Sequence, residues 1–407
     1  MKRSVLRCLP SLLLVILLTT FIHFKLHNNK EQSFSSCQDD RDKIDEMLET
    51  YSQPWINNEE NYKEISNVQP KRSLPQKKAS PQTSALCKDC REKINKVLEQ
   101  YSEAWKKQEE HYQKFRYTLC CTESSDYLWL PRSQLNTKCH GLEKATITQA
   151  NTPVGTKLVY DGEKKSTLQV NPEIFSTFFK GHPFPNKTWH TCAVVGNGGI
   201  LANSSCGKMI DSAEFVIRCN LPPLSNGYEK HVGIKTDLVT ANPSILIEKF
   251  GALMGRRRKF VESLRSYGDS LLLLPAFSFS ISTPVSLRAF YTLEDFESSV
   301  RPIFFNPGYL HNLALFWGSQ GLRTIRLSTG IIMTSLALEL CDNIQLYGIW
   351  PFDFHPYSFQ TLTNHYYDDR KTQTKFHAIP DEFNHLLRLH NQGVLKLHLG
   401  DCKAEPN

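Results

Sequence analysis

From about residue 146 onward the chain alternates short apolar runs with longer stretches of helical spacing. Residues 193–195, 215–217, 271–275, 302–305 and 344–347 are short, mainly apolar runs, and they predict buried strands. Residues 309–318 and 331–340 keep apolar side chains three and four apart, which predicts helices. Alternation of the two kinds predicts an α/β fold with a largely parallel sheet and helices on both faces. The first strand run opens into a glycine turn, Gly196-x-Gly198, and the second ends in Arg218, Cys219 and Asn220. A strand entering a glycine turn is how a nucleotide-binding sheet begins, because glycine lets the backbone approach a phosphate or ribose. The dinucleotide fingerprint is incomplete, since Leu201 stands where its third glycine should fall.

The pattern before residue 146 is different. Residues 8–24 are uncharged, with Lys2, Arg3 and Arg7 ahead of them and Lys25 behind. Those 17 residues are at the short end of a membrane span. A cleaved signal peptide is the competing reading. Bulky Phe24, Lys25, Leu26 and His27 offer no small-x-small cleavage site and favour an uncleaved anchor. The excess of positive charge ahead of the span predicts a type II topology, with residues 1–7 cytosolic and the body luminal. A short span suits the thinner early secretory membranes.

Residues 25–104 read as a polar stem with a Pro/Lys/Ser-rich linker over 69–83. An internal repeat straddles that linker: residues 37–62 recur, shifted by 50, as 87–112, with half of the positions identical. Ile44, Leu48, Tyr51 and Trp55 share one helical face, and Ile94, Leu98, Tyr101 and Trp105 repeat it. Each copy is therefore expected to be an amphipathic helix, packing on a neighbour or on a partner chain. A homodimer through the stem is one such arrangement.

Composition is ordinary for a globular protein, and the net charge of +7 suits an anionic small molecule or acidic glycan rather than nucleic acid. Eleven of the twelve cysteines follow residue 24, and an oxidising lumen would pair many of them. Eleven is odd, so at least one thiol stays free or pairs between chains. Cys87-x-x-Cys90 could be a redox or zinc pair, but with no second pair a structural disulfide is the preferred reading. Sequons at Asn186 and Asn203 agree with a luminal body.

Four segments carry candidate chemistry. Residues 192–220 are the first. Ser328, Thr329 and Gly330, at the start of a predicted helix, offer an anion cradle, although a serine there also serves as an ordinary N-cap. His365, Tyr366, Tyr367 and Asp368 form a polar aromatic cluster that cannot be core at every position. His377 lies just ahead of Pro380, which starts a helix with Glu382 in its first turn. A lone histidine is usually structural, but two such segments behind a nucleotide-type sheet favour general-base chemistry. The Asp-x-Asp pair with which most metal-dependent sugar transferases hold a cation occurs only as Asp40-Arg41-Asp42, in the stem. Charge on a leaving phosphate must then be met by amides, hydroxyls or histidine. The basic run 256–259 reads as a solvated helix face, with contact to an acidic acceptor as the alternative.

Together and in this order, the four segments resemble the animal sialyltransferases, glycosyltransferase family 29, over roughly residues 105–402. Residues 192–244 look like the large sialylmotif and residues 327–352 like the small one. His365 to Asp368 looks like motif III, and His377 to Glu382 like the very small motif. Gly196 to Leu201, Arg218 to Pro223 and Asn151 to Gly155 resemble the alpha-2,8 branch, in its mono- and oligosialylating form. The scattered Lys164, Lys165, Lys180, Lys187, Arg323 and Arg326 do not match the strongly basic segments of polysialylating members.

The resemblance implies a GT-A-like single catalytic domain over 105–407, with a Rossmann-like, mostly parallel sheet. It implies CMP-sialic acid as donor, no metal, inversion at the anomeric carbon, a sialylated glycolipid or glycoprotein as acceptor and a Golgi membrane location. His377 would be the general base toward the acceptor 8-hydroxyl. His365, Ser328, Thr329 and Gly330 would face the donor phosphate and carboxylate, Asn197 and Asn220 would hold ribose and phosphate, and Trp350 would pack near the donor. Disulfides would join Cys192 to Cys341 and Cys206 to Cys402. Three positions depart from the family pattern. Asn364 and Asp369 would bear on acceptor fit, and Ile349 replaces a common phenylalanine at little expected cost. Rival readings are another linkage or acceptor, and a catalytically silent glycan-binding relative.

Overall fold

The computed structural model describes residues 83–120, 142–184, 188–369 and 378–402, with residues 83–90 and 120 as backbone only. The expected anchor at 8–24, the linker, the first repeat copy, Asn186 and His377 lie outside the described residues, as do the side chains of Cys87 and Cys90. Among the described residues no helix is long and apolar enough to cross a membrane.

The strands are β1 (Thr146–Ile147), β2 (Lys157–Val159), β3 (Thr167–Gln169), β4 (Trp189–Val195), β5 (Phe215–Arg218), β6 (Leu238–Thr240), β7 (Leu271–Leu274), β8 (Arg301–Phe305), β9 (Cys341–Tyr347) and β10 (Lys396–Leu397). All but β2 and β3 join one sheet in the order β1-β8-β7-β6-β5-β4-β9-β10. Every pairing in it is parallel except β1 against β8. β2 and β3 form a separate antiparallel hairpin.

The helices are α1 (Thr83–Gln100), α2 (Glu109–Cys120), α3 (Pro172–Ser176), α4 (Gly207–Asp211), α5 (Glu229–Val232), α6 (Pro243–Phe250), α7 (Arg257–Leu264), α8 (Ser282–Asp295), α9 (Pro307–Ser319), α10 (Thr329–Leu340) and α11 (Ile379–Asn391). They cover both faces, which is why the central strands read as unbroken apolar runs rather than as alternation. Successive residues of one strand enter opposite cores. Cys192, Val194, Phe215, Ile217, Leu271 and Leu273 pack with α9, α10 and α11. Ala193, Val195, Val216, Leu272 and Leu274 pack with α6, α7 and α8.

The chain leaves β4 toward β5 and returns much later to β9 on the other side of β4, so the topological switch lies at β4/β9. Ligands of open parallel sheets bind outside the carboxyl ends of the strands at such a point. The loops carrying Gly196, Asn220, Asn242 and Gly348 all sit at that end.

The second repeat copy departs from the expected single helix. α1 ends at Gln100, and Tyr101 and Trp105 lie in an irregular segment before α2 begins at Glu109. Tertiary contacts override the period. Tyr101 stacks on His390 with centroids 4.6 Å apart and donates its hydroxyl to the Leu397 carbonyl at 2.8 Å. The Gln108 amide donates to Gly393, and the Tyr112 hydroxyl, fully buried, donates to the Cys341 carbonyl. No continuous helix could meet β10, α11 and β9 at once. α1 is thus built into the core through Ile94 and Val97.

Candidate active site

The glycine loop after β4 has a different task from the one expected of it. A Cβ on Gly196 or Gly198 would lie 2.6 Å from the Gly348 carbonyl oxygen, and one on Gly199 would lie 2.0 Å from that of Thr363. The glycines therefore admit neighbouring protein backbone, where the sequence suggested a phosphate. The Gly198 amide donates to Gly348 at 2.9 Å, Gly199 to Asn364 at 3.3 Å, and Gly198 forms a bridge with His365. Three distant segments are laced together in this way, and the backbone groups of the loop are satisfied by protein.

The side chains around this lacing point to a bound ligand. Asn197 donates through Nδ2 to the Cys219 carbonyl at 2.8 Å. Its Oδ1 is buried with no hydrogen-bond partner among the described residues. An unmatched buried amide oxygen costs about 1–3 kcal/mol, which a ligand donor would remove. Asn220 adopts a left-handed φ of 62° and accepts from the Asn242 amide at 2.9 Å, so its side chain also shapes the loop after β6. Behind it Arg218 is fully buried, with its guanidinium on the carbonyls of Lys235 and Val232 and 3.7 Å from Asp211. Burial lowers the Arg218 pKa, and Tyr366 and Asp211 oppose that shift. Free, buried Cys219 is held as a neutral thiol, its pKa raised by burial to about 12.

Ser328 is the N-cap of α10, its side chain accepting from the Ile331 amide at 3.3 Å, so the capping alternative describes its oxygen. Its own amide donates to the buried carboxylate of Glu382 at 2.8 Å, joining the second and fourth segments. Thr329 meets Asn242 at 3.3 Å. The first-turn amides at Thr329 and Gly330 open the positive end of a 12-residue helix.

His365 is half-buried and stacks on Tyr367 at 5.2 Å. Its Nδ1 lies 2.7 Å from Asp368 Oδ1, and its Nε2 lies 3.3 Å from the side-chain nitrogen of Asn364. A carboxylate on Nδ1 fixes the tautomer with the proton there and leaves Nε2 as the acceptor. The two family departures also meet: the Asn364 amide donates to Asp369 Oδ1 at 3.2 Å. Trp350 is only 9% exposed, donates its indole N–H to the Phe354 carbonyl at 2.8 Å, and packs edge-on to Phe352 and Phe383. It walls the site under the first turn of α11 and has no polar group left for a ligand. Asn203 is exposed on a turn with φ 65°.

Both disulfides are formed: Cys192–Cys341 joins adjacent strands with Cα atoms 5.9 Å apart, and Cys206–Cys402, at 4.8 Å, fastens the C-terminal segment. Sequence reasoning passed over Asp368 as the partner that orients His365, Glu382 as the tie to Ser328, and Asn242 as a bridge between loops. The Asp three residues after His365 was the signal available for the first. The others depend on contacts across 54 and 22 residues.

The model of glycosyltransferase family 29 (sialyltransferase) matches residues 146–394. The chain belongs to this family. It is 44% identical to human alpha-2,8-sialyltransferase 8F over 67% of this chain and 68% of that one. Human alpha-2,8-sialyltransferase 8E is 46% identical over 67% of this chain and 72% of its own length. Xenopus tropicalis alpha-N-acetylneuraminide alpha-2,8-sialyltransferase is 44% identical over 67% and 79%. A solved mammalian sialyltransferase aligns over 69% of this chain and 97% of its own at 21% identity, with a TM-score of 0.44. As a family 29 glycosyltransferase the chain is an enzyme, and all four segments lie within the family match, with the first three and Glu382 of the fourth joined by the contacts above. Among the described residues no group of three or more His, Cys, Asp or Glu is placed to hold a metal.

Proposed function

We propose that this sialyltransferase moves sialic acid from CMP-sialic acid to the 8-hydroxyl of a terminal sialic acid on gangliosides or glycoprotein O-glycans. The reaction inverts the anomeric carbon and needs no metal, and the catalytic domain is GT-A-like. The reading places the enzyme in the Golgi membrane, as a single-pass type II protein with its catalytic domain in the lumen. One observation carries it: identity of 44–46% to proteins named alpha-2,8-sialyltransferases over two thirds of the chain.

In this reading His377 removes the proton from the acceptor hydroxyl. The cytidine phosphate is already a good leaving group, so proton removal plus charge stabilisation suffices. The Thr329 and Gly330 amides at the α10 N-terminus meet the growing negative charge on the phosphate. In its protonated form His365, held by Asp368, would donate from Nε2–H to the same phosphate, and Asn197 Oδ1 accepts a donor-nucleotide hydrogen.

Full-length chain in detergent, given CMP-sialic acid and a panel of sialylated lipids and glycoproteins, should form a new linkage cleaved only by an alpha-2,8-competent sialidase. Transfer solely to galactose-terminated acceptors would replace the linkage. CMP binding without transfer to any acceptor would make the chain a silent relative. His377→Ala should abolish transfer and leave CMP affinity unchanged; transfer at the wild-type rate would assign the base elsewhere.

A further inference from the structure

The repeated stem helix carries one side chain that neither the amphipathic reading nor the donor site accounts for. The Arg91 guanidinium lies over the Phe359 ring, 4.5 Å from its centroid. Arg91 falls three residues before Ile94 and ten before Tyr101, on the stripe by which α1 docks. Ile94 is fully buried, and Tyr101 is fastened to His390 and Leu397. α1 therefore holds Arg91 on a rigid arm, about 14 Å along the helix from its end at Gln100.

Phe359 is the tip of the loop that runs from Trp350 to His365. Its φ of 54° is a left-handed conformation that phenylalanine seldom adopts. The loop is cross-braced inside: the Phe359 amide donates to His355 at 3.0 Å, His355 to Gln360 at 2.8 Å, and Leu362 to Asp353 at 2.7 Å. Its base is fixed twice. Trp350 donates to Phe354, and the Gly199 amide holds the Asn364 carbonyl immediately before His365. At the tip Phe359 rests on the hydrophobic core, and Arg91 covers its ring. The internal repeat supplies an independent observation. Arg41, Ile44, Leu48 and Tyr51 reproduce Arg91, Ile94, Leu98 and Tyr101, so the arginine recurs together with three residues of the docking stripe.

We propose that Arg91 is a positioning residue: by capping Phe359 it fixes the loop over 351–362 and, through it, sets the acceptor side of the site at Asn364 and its partner Asp369. The assignment of an acceptor side rests on the sialyltransfer reading above. Arg91 touches no substrate, and the donor-binding groups are anchored independently of it.

The test uses full-length wild type, Arg91→Ala and Arg91→Lys in detergent. Hydrogen–deuterium exchange over 351–369 should rise in R91A and return toward wild type in R91K. With a sialylated acceptor, R91A should raise acceptor KM about two- to five-fold, the range of an exposed cation–π contact, while donor KM and kcat stay unchanged. R91K should recover most of the loss. Unchanged exchange in R91A overturns the contact. Raised exchange with unchanged acceptor KM, or a joint loss of kcat and donor KM with a lowered Tm, overturns the acceptor-side assignment. If wild type transfers to no acceptor, the sialyltransfer reading fails and takes that assignment with it, and the exchange measurement still decides the contact.

Discussion

Replacing Gly199 by Ala puts a methyl carbon 2.0 Å from the Thr363 carbonyl oxygen and 3.0 Å from its carbon. Ordinary contact begins near 3.4 Å, so the two backbones must separate by about 1.4 Å. Neither can yield cheaply. Gly199 opens a short turn held by the Ala202 amide, and Thr363 is tied to His365 through its hydroxyl at 2.6 Å. The movement falls on residues 363–365 and carries His365 with it. Overpacking of this kind costs about 1–3 kcal/mol, which for a domain of this size lowers Tm by roughly 2–5 °C. The larger effect is on rate, because a displacement of about 1 Å in a positioned group costs on the order of 100-fold. The assay is steady-state transfer from CMP-sialic acid, with CMP affinity measured separately and Tm by differential scanning fluorimetry. Gly318→Ala is the control: no atom lies within 4 Å of its new methyl, and a helical alanine adds up to about 1 kcal/mol. Wild-type kcat in Gly199→Ala would refute the view that close backbone approach at this glycine sets the position of His365.

Two further outcomes follow from the side chains. Asp368→Asn should lower kcat by about 10²- to 10⁴-fold with CMP affinity retained, since His365 loses the carboxylate that fixes its tautomer; an unchanged pH–rate profile and kcat would remove His365 from the chemistry. Burial raises the Glu339 carboxyl to about 7, with the Tyr309 hydroxyl and Arg116 opposing. Its folded pKa lies above the unfolded 4.5, so its contribution to stability is full below about 4.5 and is lost as pH rises through about 7. Glu339→Gln should flatten the fall in Tm between about pH 5 and pH 8, and an equal fall in both proteins would disprove the coupling.

The strands of the central sheet were legible because parallel strands buried on both faces leave compact apolar runs. β6 has only three residues and β10 two, and both exist through their pairing rather than through a run long enough to notice. The four chemistry-bearing segments could be picked out from residue types alone. Their mutual geometry could not, since Gly199 and Thr363 meet across 164 residues for a reason visible only in the missing Cβ. The repeat was evident in the sequence, but the end of its helix was not. The break at Gln100 answers to His390, Gly393 and Leu397, partners nearly 300 positions away.

The place of β4 has a consequence for the order in which the molecule can be made. β4 lies between β5 and β9, and its Cys192 pairs with Cys341, 149 residues later. At about 5–20 residues per second, synthesis leaves one edge of this strand bare for roughly 6–26 s after the other has paired, from the end of β5 to the end of β9. Throughout that interval the nascent chain presents an apolar strand edge and a reduced thiol together, a state suited to chaperone and oxidoreductase custody. Cys402, the partner of Cys206, arrives later still and closes a loop of 196 residues. The candidate site is therefore fastened only after every strand of the sheet has been made, and replacing Cys402 removes that fastening.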